Sequence, residues 1–216
     1  MRVLAFTSNR ADYDLLSPLY RLLHEDENID FRLCVSGAHL STDYGQSVRQ
    51  IRADDFTILI ELETLLAYDS NKSKLKSASL FLQNSIDLVS QFAPDVILFA
   101  GDREDVVPIA LLGVYLHIPS VHFYGGDHER AGHEDTMVRH AASKLATVHF
   151  VSCQQHAERL RAMGEAQSRI FNIGSVALDK FRRFIPLDRS TLLTEFRVPE
   201  EQPYALVIYH PSPDQT

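Results

Sequence analysis

The chain has 216 residues, enough to bury a full hydrophobic core, and its 29 acidic against 21 basic residues give a net charge of −8. The charge is spread along the chain without a basic run, which argues against nucleic acid or a membrane surface as a partner. No apolar stretch reaches the roughly 20 residues of a membrane span, and the two cysteines, Cys34 and Cys153, lie far apart without metal-ligand spacing, so a protein of the reducing cytoplasm is expected.

Apolar and β-branched runs alternate with helical periodicity from the first residues onward. A strand at 3–7 leads into a helix at 14–24, where Leu15, Leu16, Leu19, Leu22 and Leu23 recur at helical spacing. Strands follow at 31–35 and 57–60, then a long helix at 75–92 carrying Leu75, Leu80, Leu82, Ile86 and Val89. The strand at 96–100, a helix at 105–116 and strands at 120–124, 148–151 and 170–173 complete the series. Pro94 and Pro119 each stop a helix just before a strand, and Gly37, Gly101, Gly125, Gly126 and Gly174 each follow one. This βαβ rhythm predicts an α/β domain with a Rossmann-like, doubly wound parallel sheet over residues 1–180. After residue 180 the rhythm breaks. Residues 181–203, with a short helix at 189–196, read as an interdomain linker. The run Tyr204-Ala205-Leu206-Val207-Ile208-Tyr209 then opens another buried strand ending at His210, so 204–216 is expected to begin a second, truncated domain.

The chemistry gathers in the turns that follow strands, where ligands bind in open α/β sheets. The first turn, Thr7-Ser8-Asn9-Arg10-Ala11-Asp12-Tyr13, is not GxGxxG, which lowers the case for a dinucleotide, but its N–H groups and Arg10 suit a phosphate. The second, Gly37-Ala38-His39, offers His39 to a sugar or phosphate. The third, Gly101-Asp102-Arg103-Glu104-Asp105, sets Asp102 at the strand edge, whereas Glu104 and Asp105 suit the first turn of the next helix. The fourth spans Gly125 to Asp135, too long and too rich in Gly, His and acid for a plain connection. Asp135 opens a helix in which Arg139 and His140 follow four and five residues on, so Asp135 and Arg139 share a face. His128, His133 and His140 with Asp127 match no zinc spacing, and no metal is expected. Neither GxSxG nor a Cys/His dyad is present. Asp102, Asp127 and Asp135 with Arg103 and Arg139 therefore predict a pocket of paired charges that moves protons on an anionic substrate.

At these turns the sequence resembles the UDP-N-acetylglucosamine 2-epimerase family, particularly its hydrolysing members of sialic-acid and legionaminic-acid type biosynthesis. The resemblance runs through SNRADYDLLSPL, SGAHLSTDYG, PDVILFAGDRED, IPSVHFYGGD, VRHAASKLATVHFVS and IFNIGSVALD, and LVIYHP is similar to the first strand of the family's second domain. It implies a GT-B-type architecture of two Rossmann-like domains with the nucleotide sugar in the cleft, of which this chain carries the N-terminal half. It implies Asp102, Asp127, Asp135 and His210 as catalytic residues. Arg10, His39, Arg103, Gly126, Arg139, Gly174 and Ser175 would be the substrate-binding set. The implied reaction removes the C2 proton of a UDP-2-acetamido sugar, expels UDP through a glycal and adds water to give the 2-epimeric free sugar, with no cofactor. Family members are usually dimers or higher, and a homo-oligomer is expected of the full-length protein; the 216 residues alone are expected to be inactive. Two departures bear on the substrate. Ser8-Asn9 stands where the family commonly has glycines, and Asp127 where it often has Glu, which could report a diacetamido-trideoxyhexose such as that of UDP-diacetylbacillosamine. Glu134 and Asp135 compete for one catalytic position, and Asp135 keeps the family's spacing to Arg139. A non-catalytic sugar-nucleotide module and a GT-B glycosyltransferase are the competing readings.

Overall fold

The computed structural model describes residues 1–66, 70–128, 134–182 and 184–209. The chain divides into two compact units, Met1–Lys180 and Phe181–Thr216. In the first, seven strands alternate with helices. They run in chain order as β1 (Arg2–Thr7), α1 (Arg10–Glu25), β2 (Asp30–Ser36), α2 (Val48–Ala53), β3 (Ile58–Leu62), α3 (Asn71–Phe92), β4 (Val96–Ala100), α4 (Val106–Tyr115), β5 (Ser120–Phe123), α5 (Glu134–Leu145), β6 (Val148–Val151), α6 (Gln154–Ala162) and β7 (Ile170–Asn172). The strands form one sheet in the order β3-β2-β1-β4-β5-β6-β7, every neighbouring pair parallel. The predicted doubly wound α/β sheet is therefore present.

Strands covered on both faces must be apolar at almost every position, and β1 and β4 meet that demand. Alternate residues of β1 and β4 serve opposite cores: Leu4, Phe6, Ile97 and Phe99 pack with Phe81, Val89, Ile109 and Leu112 on one face. Val3, Ala5, Leu98 and Ala100 pack with Tyr13, Leu16 and Tyr20 on the other. The order reverses beside β1, whose neighbours are β2 and β4. Connections from these strands leave toward opposite faces there, so the crevice of the sheet opens at the carboxyl ends of β1 and β4.

The long helix turns a different side inward than its leucines suggest. α3 buries Ser73, Ser77, Phe81, Ser85 and Val89, whereas Leu75 is 74% exposed and Ile86 42% exposed. Phe81 and Val89 enter the core between the small Ser73, Ser77 and Ser85, and the Ser85 hydroxyl is satisfied by the Phe81 carbonyl at 2.8 Å.

A short helix, α7 (Asp179–Arg182), is followed by α8 (Arg189–Glu195), which is capped by Asp188 through the Thr191 amide at 3.0 Å. The expected strand at 204–209 is not formed: the segment carries no strand pairing, and Leu206 and Val207 are 81% and 83% exposed. A strand exists only through its ladder, and these residues have no partner strand among the described residues.

Candidate functional site

Local sequence shapes the first turn before any ligand is considered. Asn9 caps α1 by accepting from the Ala11 and Asp12 amides, and Asp12 answers by accepting from the Asn9 amide. The Asp12 carboxylate also takes the Ser8 amide at 2.9 Å and the Thr7 hydroxyl. The turn's N–H groups are thus largely claimed by its own Asn9 and Asp12 side chains, which corrects the expectation that they cradle a phosphate. Arg10, the first helical residue, stays exposed and is the group there that can still meet an anion.

His39 also departs from expectation. It is fully buried, with Nε2 2.8 Å from the Thr7 hydroxyl and Nδ1 2.7 Å from the Ser47 hydroxyl. Both ring nitrogens are occupied inside the fold, so His39 braces Thr7 and Asp12 and does not reach a substrate.

At β4 and β5 the charges come together. Gly101 turns the chain with φ +96°, and its carbonyl lies 3.1 Å from Nε2 of the buried His122. Burial pushes the His122 imidazole down to about 3, so it is neutral and donates that hydrogen to Gly101. Asp102 comes next. After β5, Gly125 and Gly126 lead into Asp127. From α5, Arg139 reaches across both turns: one guanidinium nitrogen pairs with Asp102, and the other lies 2.9 Å from Asp127. One guanidinium fork therefore holds two carboxylates from neighbouring strands. Burial alone would raise the Asp127 carboxyl, but Arg139, the His128 amide at 2.8 Å and His156 prevail and hold it below its ordinary value. Nε of Arg139 is buried without a hydrogen-bond partner among the described residues.

Asp135 does not pair with Arg139, although they share a helix face, because the guanidinium turns to Asp102 and Asp127. It lines a groove of about 770 Å³ between α3, α4 and α5, together with Asp102, Glu104, Leu75 and Leu111. Glu134 points to α3, 2.7 Å from the Lys74 ammonium and 3.3 Å from Asn71. Arg103 is exposed and borders a cavity of about 320 Å³ with Ser8, Gly37, Lys74 and Asp105. Gly174 follows β7 with φ +79°, and the Ser175 hydroxyl lies 3.5 Å from that of Tyr124. His210 lies outside the described residues.

Three groups beside the site carried no signal in the periodicity. His156 and Arg159, one turn apart on α6, meet the fourth turn: His156 lies 3.2 Å from Asp127, and Arg159 donates to the Gly126 carbonyl. Asp105, read only as a helix-start residue, is buried behind the smaller cavity. Burial pushes its carboxyl up to about 7, the Asp12 charge adds to this, and a hydrogen bond from Ser8 opposes it. Between the ordinary carboxyl value of 3.8 and about 7 the folded protein binds the extra proton, so stability falls as pH rises through that window. Asp105→Asn removes this dependence. We expect its stability relative to the parent to improve by on the order of 2–4 kcal/mol between about pH 4 and pH 8 in urea unfolding. A difference that stays constant with pH would show that Asp105 titrates normally.

Comparison with known proteins gives this arrangement a family. Residues 21–216 match the family model described as UDP-N-acetylglucosamine 2-epimerase. The chain is 36% identical over 210 residues to the UDP-N,N'-diacetylbacillosamine 2-epimerase (hydrolyzing) of Legionella pneumophila, covering 97% of this chain and 55% of that protein. It is 31% identical over 210 residues to the GDP/UDP-N,N'-diacetylbacillosamine 2-epimerase (hydrolyzing) of Campylobacter jejuni, covering 97% and 54%. The chain thus spans about half the length of these relatives. Its fold matches the UDP-GlcNAc 2-epimerase from Neisseria meningitidis bound to UDP-GlcNAc with a TM-score of 0.73 and 17% identity, over 84% of this chain and 49% of that one. A match across nearly the whole first unit, and a doubly wound sheet whose carboxylates converge at its crevice, lead to one conclusion: the chain belongs to the UDP-N-acetylglucosamine 2-epimerase family.

Proposed function

We propose that this chain carries the acid/base half of a hydrolysing 2-epimerase acting on a UDP-2-acetamido sugar, with UDP-diacetylbacillosamine and UDP-N-acetylglucosamine as the substrates to test first. The observation that carries the reading is the fork of Arg139 between Asp102 and Asp127 at the crevice, with Asp135 on the wall of the adjoining groove. The relatives' names support the substrate class.

The chemistry asks for such a set. A C2–H bond is weakly acidic, so a placed carboxylate must take its proton while the C1–oxygen bond breaks and its electron pair leaves with UDP. The C2–H electrons become the C1–C2 double bond of the glycal. Water then adds at C1 and a proton returns to C2 on the opposite face, giving the 2-epimeric free sugar. Arg139 fixes Asp102 and Asp127 in place and helps to hold Asp127 ionised. Asp135, which has no ion-pair partner among the described residues, is the carboxylate best placed to change protonation state during turnover. Arg10 and Arg103, exposed on the turns after β1 and β4, face the anionic diphosphate, and Gly174 and Ser175 form the cleft edge beside Tyr124. His210 assists the leaving group. The reaction needs no cofactor. The domain assignment of 1–180, 181–203 and 204–216 belongs to the same reading, as does a role in sialic- or legionaminic-acid type synthesis in the cytoplasm. Among the described residues no helix is long and apolar enough to cross a membrane. A homo-oligomer built through α3 and α4 accords with the exposure of Leu75, Ile86, Val114 and Tyr115 on their outer faces. Residues 1–216 alone do not turn over in this reading, because the uridine contacts come from the second domain.

The test is incubation of the intact protein with each UDP sugar in deuterated water. UDP release with deuterium at C2 of the epimerised product supports the proposal. Transfer to an acceptor with the C2 configuration kept would make the protein a glycosyltransferase, and binding without release would make it a sugar-nucleotide module. The same assay separates the two neighbouring acids. Asp135→Asn is expected to lower kcat roughly 100-fold or more, whereas Glu134→Gln, which loses an exposed pairing with Lys74, changes it little. The reverse ranking would move the catalytic role to Glu134.

A further inference from the structure

The α6 helix does more than cover β6. Its first turn packs so closely on the fourth loop that the His156 carbonyl lies against Gly126, and Arg159 binds the Gly126 carbonyl. That same turn sends the His156 ring to Asp127, with Nε2 3.2 Å from Oδ1, while Nδ1 lies 3.1 Å from the Ser152 hydroxyl. An ionised carboxylate can only accept, so the hydrogen sits on Nε2, and the Ser152 hydroxyl donates to Nδ1. Asp127 is consequently gripped from two helices: α5 holds Oδ2 through Arg139 and α6 holds Oδ1 through His156.

We propose that His156, oriented by Ser152, is a positioning residue that fixes the Asp127 carboxylate toward the substrate. The inference rests on the 2-epimerase reading. Its neutral form is the working one: protonation places a hydrogen on Nδ1 and reverses the bond with Ser152, whose hydroxyl must then turn to accept it. The charged and titratable groups around the ring are Asp127 from the fourth loop, Arg139 from α5 and Arg159 from its own helix, with His140 of α5 also beside Asp127. Burial lowers the imidazole's proton affinity, Asp127 opposes this, and the two arginines add to it, leaving His156 below its ordinary value of 6.5 and neutral at neutral pH.

The experiment compares kcat and KM across pH for the intact parent enzyme, His156→Gln and His156→Leu. Gln places an amide donor near the Nε2 position and does not titrate. His156→Leu is expected to lower kcat about tenfold to a hundredfold with KM little changed, the loss of one hydrogen bond to a charged group. His156→Gln restores kcat and extends activity to lower pH than the parent. A His156→Gln profile that superimposes on the parent's, or parental kcat in His156→Leu, would overturn the proposal, and if the leucine variant does not fold the glutamine variant decides alone. A second readout needs no turnover. In Asp127→Asn the NMR titration midpoint of His156 moves down, because the carboxylate that favours the imidazolium is gone. An unmoved midpoint would refute the contact. Should the intact protein act on no UDP-2-acetamido sugar, the functional reading fails, and this titration still decides the pairing.

Discussion

Under the proposed 2-epimerase reaction, Arg139→Met is expected to cut UDP release by the intact protein at least about a thousandfold, and in any case to lower its unfolding free energy by about 2 kcal/mol. The guanidinium is 14% exposed and holds carboxylates that are 23% and 49% exposed, so the site is only partly dry. Removing one partner of a fully buried pair costs about 3–5 kcal/mol, and the solvent around Asp127 brings this down. What remains after the substitution is two carboxylates facing each other without a cation, and the sugar meets a site whose charges have moved apart. The sign with pH follows from Asp127. Its proton affinity in the fold lies below the ordinary value of 3.8, so its contribution is present above that value and disappears as pH falls through the folded one. The stability gap between parent and variant should therefore close in acid. Adding Asp102→Asn or Asp127→Asn to the methionine variant should recover part of the stability and none of the activity. Urea midpoints that are equal for parent and variant at neutral pH would show that the fork does not support the fold.

Gly126→Ala is expected to destabilise the protein by about 2–4 kcal/mol, from roughly 1–2 kcal/mol of left-handed backbone strain and about as much again from overpacking. Gly126 has φ +78°, and a Cβ there would stand 2.4 Å from the His156 carbonyl oxygen. That oxygen belongs to the first turn of α6, and the Gly126 carbonyl is itself tied to Arg159, so neither side can give way cheaply. Gly101→Ala is the control. Gly101 also has a positive φ, +96°, but a Cβ there meets open space, so only the strain of about 1–2 kcal/mol should appear. Equal losses in the two variants, read from thermal or urea unfolding, would mean that the contact with His156 is not tight. Because Asp127 follows Gly126 directly, the alanine that folds at all should also lose most of its activity.

Much of the fold was legible in the chain itself. Strands such as Val96–Ala100 are buried on both faces and read as unbroken apolar runs, and the glycines after them mark the turns. Asp102 and Asp127 were legible for the same reason, because each follows such a strand within three residues of a turn glycine. The inward side of α3 is not legible from its leucines: Ser73, Ser77, Phe81, Ser85 and Val89 are the residues it buries, while Leu75 and Ile86 stay exposed. His39 was misread because nothing local shows that Thr7 and Ser47 come within reach of its two nitrogens. The segment 204–209 was read as a strand from its composition, but composition cannot supply the neighbour that makes one.

The sequence by itself determined the α/β rhythm, the turns where chemistry gathers and the acidic character of those turns, since periodicity and turn glycines are local properties. Only the tertiary structure decided which charges meet. Arg139 stands one helical turn from Asp135, yet it pairs with Asp102 and Asp127, residues 37 and 12 positions away, because parallel neighbours β4 and β5 deliver their turns side by side under α5. His156 joins them because β6 lies next to β5 and the helix after it begins against Gly126. Such pairings are set by strand order, a long-range outcome of burying both faces of one sheet, and spacing along the chain carries no record of them.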